Sequence, residues 1–372
     1  MITTASKLKE LIQQARTVDA VGLDTEFIWE RTYYPELALV QLALSNEECY
    51  LIDPCALNDL SPLGELLADP AVVKIFHDAP QDLMILSRAT NVCPINIFDT
   101  RLAAGFAGRP ATLSLSNLLS DLLDVNLPKT ETRTNWLRRP LSDKQLSYAL
   151  DDVRYLRAMR VLILSSLMDA TVVSWMTEEL DKLNNPTTYM PGPDDLRYQK
   201  IKGAGNLKRE ELAILQGLST WREQEARRRN RPRGHIINDQ ILLALSKKPP
   251  LKSSDITGYG KISEKTVKYY GKQLMTIISE NLERAPENYP PSLRSAKLSA
   301  EDKKQLATLQ EFITLKSDIA GLDPALIGSN AELKKLIKNH GQADKIACLR
   351  QAQGWRGTFL AEVLATAASP LS

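Results

Sequence analysis

Five short apolar runs lie within residues 20–98, and beyond about residue 205 there is no further run of that kind. This change of pattern constrains the fold more than any other feature of the chain. The runs fall at 20–23, 37–44, 49–52, 72–76 and 95–98, each the length of a buried strand. Short links join the first three, which suits a meander. Helical patterns such as 81–88 separate the later ones, the βαβ signature of an α/β domain with a mixed sheet. From Ser142 the period becomes helical. Leu146, Ala149, Leu150, Val153, Leu156 and Met159 recur on one face, Ser142 and Gln145 form a predicted capping box, and the predicted helix continues past Leu162. Asn184-Asn185-Pro186 and Met190-Pro191-Gly192-Pro193 punctuate a polar linker. Helical patterns at 210–228, 238–245 and 263–282 then predict a small all-α domain. A second break, Asn288-Tyr289-Pro290-Pro291, precedes another helical segment over 299–368.

Of the 372 residues, 43% are hydrophobic and 25% charged, so there is apolar material for several cores and no disordered bias. The formal net charge is only +2, so a polyanion has to be held by local basic patches rather than by the field of the whole chain. Cys49, Cys55, Cys93 and Cys348 are scattered with no CxxC pair, which argues against structural zinc and a disulfide framework and fits a reducing cytoplasm. The N-terminal residues have a polar helical pattern without a long apolar region, so no signal peptide is expected. No apolar run is long enough to span a bilayer.

The chemistry concentrates in three pieces. Asp24-Thr25-Glu26 follows the first apolar run. On a strand, residues two apart share a face, so both carboxylates project together, and a divalent cation is the usual relief of their repulsion. His77-Asp78-Ala79-Pro80-Gln81-Asp82 follows the fourth run, with Asp82 in the first turns of a helix. In Tyr148-Ala149-Leu150-Asp151-Asp152, Tyr148 and Asp152 are four apart and share a helix face with Gln145, while Asp151 points elsewhere. Each piece alone is commonplace; their order and spacing together are specific.

Together, VGLDTEF, HDAPQDL and YALDD resemble the motifs of the DEDD exonuclease family in its tyrosine subgroup. The histidine subgroup carries its base five residues before the last Asp, where this chain has Ser147; Tyr148 stands at the tyrosine position. The approach LPKTETRTNWLRRPLSDKQLSYALDD, with Lys129, Trp136, Arg139 and Pro140, is similar to the ribonuclease D family, and residues 197–250 resemble the HRDC module that follows the nuclease there. The resemblance implies a ribonuclease H-like mixed-sheet exonuclease domain followed by helical HRDC-type domains. Its expected boundaries are 1–185 for the exonuclease, 186–207 for a linker, 208–287 for an HRDC domain and 292–372 for a diverged second HRDC-like domain.

The resemblance also implies a 3′→5′ exoribonuclease that releases nucleoside 5′-monophosphates with two divalent ions, Mg²⁺ or Mn²⁺. Asp24 would bridge the ions, Glu26 and Asp152 would complete one site, Asp82 would hold the second, and Tyr148 would orient the attacking water. Asp78 is an extra carboxylate that leaves two candidates in the second motif; the spacing from His77 favours Asp82. Phe27 and Gln41 beside the first motif, and Lys129, are candidate nucleotide contacts. Arg222, Arg227, Arg228 and Arg231 are candidate phosphate contacts in a basic helical run. The implied partner is RNA with a single-stranded 3′ end, such as a tRNA precursor, handled by a monomer without a nucleotide cofactor. A DNA 3′ exonuclease and a catalytically silent RNA-binding protein on a nuclease fold are the rival readings.

Overall fold

A computed structural model describes residues 1–127, 134–294 and 297–368. Its chain divides into two compact units: 1–27, 37–190 and 298 onward form the first, and 28–36 with 191–297 form the second.

The first unit is built on a five-stranded sheet. β1 is Ala20–Ile28, β2 Glu36–Ala43, β3 Cys49–Ile52, β4 Val73–Phe76 and β5 Ile97–Asp99, in the order β3-β2-β1-β4-β5. β2 and β3 are antiparallel, whereas β4 runs parallel to both β1 and β5. The sheet is therefore mixed, as the spacing of the apolar runs predicts, with β1 at its centre. Within 1–190 it is accompanied by α1 (Ala5–Ala15), α2 (Ser61–Ala68), α3 (Pro80–Thr90), α4 (Thr100–Phe106), α5 (Leu115–Leu123), α6 (Asp143–Arg154), α7 (Leu156–Ser166) and α8 (Ala170–Asp181). Leu8, Ile12, Val21, Leu23, Val40, Ile75, Met159 and Ile163 are among the side chains buried in their common core.

The capping box at Ser142 and Gln145 forms as expected. The single helix predicted beyond Leu162 does not. Tyr155, at φ −103° and ψ 0°, breaks it into α6 and α7.

The second unit is all-α. It comprises α9 (Arg209–Arg228), α10 (Arg233–Ile236), α11 (Asp239–Lys247) and α12 (Glu264–Leu282), packed around Leu215, Leu218, Leu242, Leu245 and Leu274. Two features depart from the expected boundaries. Residues within the expected linker form a 3-10 segment, Asp194–Lys200, which packs along α9 and buries Tyr198. The segment 28–36 also belongs here. Its Tyr33 is buried, donates its hydroxyl to Glu223 at 2.8 Å, and has the Arg227 and Arg233 guanidinium groups 5.6 and 5.0 Å from its ring centre.

The chain then continues as α13 (Ala300–Ala320), α14 (Asn330–Lys338), α15 (Ala343–Ala347), α16 (Gly354–Phe359) and α17 (Ala361–Ala368). Expected to be a domain of its own, this segment instead shares the core of the first unit, contributing Ile327, Leu336, Trp355, Phe359 and Leu360. Trp355 stacks on Trp175 of α8 at 5.7 Å and meets the Phe106 ring of α4 edge-on at 5.1 Å. Among the described residues, no helix is long and apolar enough to cross a membrane.

Candidate active site

Paired residues of β1 and β4 end at Gly22 and Ile75, so Asp24 and Glu26 stand just past the parallel pairing. The turn after β4 carries the chain into α3, whose first residue is Pro80 and whose first turn holds Asp82. Proline suits that position because the missing N–H has no helical partner there. Asp99 fixes the turn, accepting from the Asp78 and Ala79 backbone N–H groups at 3.0 and 2.9 Å. From the other side comes α6 with Asp152. Gly22 permits its approach, since a Cβ there would lie 3.0 Å from the Val153 carbonyl oxygen and 3.2 Å from Leu156 Cβ.

The result is an acidic cluster. Carboxylate oxygens of Asp24, Glu26 and Asp152 lie within 4.8 Å of one another, all three residues half-buried. Asp82 is outside this trio but acts on it electrostatically. It is 7% exposed, and the Thr25 hydroxyl donates to it at 2.5 Å. Burial is the largest influence on every one of these groups and pushes each carboxyl up. For Asp24 the neighbouring Asp152 adds to it. Glu26 is pushed up to about 9 by burial, then by Asp24, Asp152 and Asp82. Asp82 is raised by burial and by Asp24 against the pull of the Thr25 hydroxyl, and Asp152 is raised by burial although Tyr148 donates to it. None of the four forms an ion pair with a lysine or arginine among the described residues. An all-oxygen donor set with unrelieved negative charge fits hard divalent cations such as Mg²⁺ or Mn²⁺.

Tyr148 is half-buried, its phenol pushed above the ordinary range by burial and by the acidic neighbours. Its ring lies 6.1 Å from that of Trp136, inside a small core formed with Leu39, Leu51, Leu141 and Ala149. Arg139 anchors this core, spanning Asp53 at 2.6 and 2.8 Å, the Ala38 carbonyl at 2.7 Å and the Trp136 carbonyl at 2.6 Å.

The rest of the second motif is structural. His77 sits between the Thr100 hydroxyl and the Leu113 carbonyl at 3.0 and 3.1 Å, and burial lowers its pKa to about 4. Asp78, in the left-handed region at φ 65°, pairs with Arg101 and is largely exposed. Asp151 pairs with Arg154 instead of joining the cluster.

The candidate nucleotide contacts divide. Phe27 is half-buried next to Glu26. Gln41 is fully buried, and neither atom of its amide has a hydrogen-bond partner among the described residues. Lys129 lies outside the described residues. In the basic run, Arg222 is buried against Asp239 and the Ile237 carbonyl, Arg227 pairs with Asp194, Arg228 pairs with Glu225, and Arg231 is exposed. Much of that run is thus neutralised inside its own unit. Thr25 inside the DxE triplet, Gly22 and the Arg139–Asp53 pair take part in the site through contacts that motif spacing does not reveal.

A family model described as "3'-5' exonuclease" matches residues 1–167, and one for the HRDC domain matches 211–278. Ribonuclease D of Desulfotalea psychrophila is 51% identical over 360 residues, covering 97% of this chain and 96% of that protein. The chain belongs to the ribonuclease D family. Escherichia coli ribonuclease D is 31% identical over 373 residues. The crystal structure of that enzyme, an exoribonuclease involved in structured RNA processing, matches with a TM-score of 0.84 at 28% identity, over 99% of this chain and 97% of that one. A protein from Bifidobacterium adolescentis, 20% identical with a TM-score of 0.72, shares the fold. As a ribonuclease D, this chain is a 3′→5′ exoribonuclease, a phosphodiester hydrolase with an exonuclease domain followed by an HRDC domain.

Proposed function

We propose that the chain trims single-stranded 3′ ends of structured RNA, tRNA precursors among them, and releases nucleoside 5′-monophosphates at the cluster of Asp24, Glu26, Asp152 and Asp82. The observation that carries this reading is the convergence of the three carboxylates, with a fourth alongside and, among the described residues, no lysine or arginine paired with them. These four residues would hold divalent metal, which when bound would supply an activated water and relief of the charge that builds on the leaving 3′ oxygen. Asp24, which is influenced by Asp152 and influences Asp82, would be one of the residues that hold the metal. Glu26 and Asp152 would hold metal beside Asp24, and the Thr25 hydroxyl, by donating to Asp82, would orient that carboxylate. The Tyr148 hydroxyl donates to Asp152. With its pKa raised, it serves as a donor that orients water and not as a base at neutral pH.

The substrate class is supported by the family and by the description of the E. coli enzyme as acting in structured RNA processing. We further read 208–287 as the HRDC domain and 292–372 as a diverged counterpart whose core has merged with the exonuclease. We also read the protein as a cytoplasmic monomer without nucleotide cofactor; the scattered placing of Cys49, Cys55, Cys93 and Cys348 in the sequence supports the compartment.

The test compares a 5′-labelled RNA carrying a single-stranded 3′ tail with the matched DNA, and identifies the product. Stepwise shortening of the RNA with release of nucleoside 5′-monophosphates, and little shortening of the DNA, is the expected result. Equal or faster loss of the DNA replaces the reading with a DNA exonuclease, and tight binding without shortening replaces it with a silent binding protein.

A further inference from the structure

Gln41 stands on β2 among apolar neighbours. Leu39, Val40, Leu42 and Ala43 are buried with it. Gln41 itself has no exposed surface, and neither its Oε1 nor its Nε2 has a hydrogen-bond partner among the described residues. Nearly every buried amide in a native fold is paired, and one left unpaired costs stability. A methionine or leucine would fill the same place without that cost. The amide therefore calls for a reason beyond packing.

Strand register shows what Gln41 faces. β1 and β2 are neighbours in the sheet, joined by residues 29–35 alone. A parallel pair needs a crossover of about a dozen residues or more, so these two strands run antiparallel. A Cβ built on Gly22 would lie 3.4 Å from the Ala43 Cβ. Directly opposite residues come that close, whereas diagonal ones stay roughly 7–8 Å apart. Gly22 thus faces Ala43. Two residues further along each strand, Asp24 faces Gln41, and both side chains lie on the same side of the sheet. That side carries α6. Val153 meets Gly22 there, and Leu51, the β3 partner of Gln41, shares a core with Ala149. The turn of α6 from Ala149 to Val153, which includes Asp152, therefore covers Gln41 beside Asp24.

We propose that Gln41 is a positioning residue for the nuclease, its amide N–H donating to the Asp24 carboxylate and fixing the orientation in which Asp24 offers an oxygen to divalent metal; this rests on the metal-dependent reading above. A carboxylate has room for about four hydrogen bonds or metal bonds. The Thr25 backbone N–H takes one of these places on Asp24, which leaves others for metal and for the amide. Groups that orient a metal ligand from behind typically matter about as much as 10–100-fold in affinity. The amide thus weakens the metal-free fold and strengthens metal binding.

Those opposed effects supply the test. The full chain is compared with Gln41→Met, Gln41→Leu and Leu42→Met, the last on the opposite face of the same strand. Three quantities are read: the Tm in chelator, the Kd for Mn²⁺ by calorimetry without RNA, and the Mn²⁺ concentration that half-saturates shortening of a 3′-tailed RNA. Both Gln41 variants are expected to melt at or above the wild-type Tm in chelator, because an unpaired buried amide is gone. Their Kd for Mn²⁺ rises roughly tenfold, and the half-saturating Mn²⁺ rises with it. Leu42→Met keeps the wild-type Kd. An amide that serves packing alone gives the reverse, a lower Tm with an unchanged Kd, and that result overturns the proposal. So does a Kd within about twofold of wild type in the Gln41 variants, or an equal rise in Leu42→Met. If wild type binds Mn²⁺ but shortens no RNA, the trimming reading fails alone, and the Kd comparison still decides the role of Gln41. If wild type binds no Mn²⁺, this proposal falls together with the metal site.

Discussion

Glu26 illustrates how a site can oppose its own fold. Its carboxyl is pushed up to about 9 by burial and then by Asp24, Asp152 and Asp82. A carboxyl with a raised folded-state pKa favours the fold while protonated. That contribution is full below the ordinary value near 4.5 and is lost as the pH climbs through about 9. Metal-free protein is therefore expected to lose thermal stability steadily between those limits, and Glu26→Gln to flatten the decline and raise the metal-free Tm at pH 8 by several degrees. Differential scanning fluorimetry in chelator across this pH range checks it; an unchanged slope in Glu26→Gln contradicts it. The principal residues were legible because their relations are local: Asp24 and Glu26 two apart on a strand, Tyr148 and Asp152 four apart on a helix. The Thr25 hydroxyl on Asp82 was not, since that bond joins positions 57 apart and no periodicity reports it.

At the scale of elements, the cluster depends on how closely α6 and α7 lie against β1. Gly22 sets that approach: a Cβ there meets the Val153 carbonyl oxygen at 3.0 Å, and backbone does not yield cheaply. Gly22→Val is expected to cost about 1–3 kcal/mol of stability through overpacking and to shift Asp152 away from Asp24. Exonuclease kcat should fall at least roughly tenfold, with Gly22→Ala in between. Urea unfolding beside initial rates checks both; full activity in Gly22→Val contradicts the role given to this contact. Four of the five strands were legible to within about two residues, because each is a short apolar run bounded by polar residues, whereas β1 continues past its apolar run 20–23 through the polar Asp24-Thr25-Glu26 to Ile28. The break at Tyr155 was not, because the hydrophobic period runs through Leu156 and Met159 without interruption while only the backbone turns.

Across the whole molecule, the C-terminal segment is part of the nuclease core, and a buried ion pair secures it. Glu179 of α8 accepts from the fully buried Arg356 at 2.5 and 2.9 Å, from Trp355 Nε1 at 2.8 Å and from Lys182 at 2.7 Å. Burial opposes the charge on Glu179, but these donors hold its carboxyl far below the ordinary range. The stability it contributes is present above about 4.5 and is lost as the pH falls below that value. Glu179→Ala strands Arg356 without its counter-charge, at an expected cost of about 3–5 kcal/mol in urea unfolding at pH 7. A loss below about 1 kcal/mol contradicts that account. Helical periodicity shows that a face of this segment is buried but not what it is buried against, which is why a separate domain was expected there. The same limit hid the membership of 28–36 in the second unit. The central claim is that RNA ends are hydrolysed at the acidic cluster with divalent metal. Its most direct test is a time course on 5′-labelled, 3′-tailed RNA with Mg²⁺, with Mn²⁺ and with chelator, run on wild type beside Asp24→Asn. A ladder shortening from the 3′ end that needs metal and is absent in Asp24→Asn is the predicted result. Shortening that persists in chelator, or in Asp24→Asn at the wild-type rate, contradicts it.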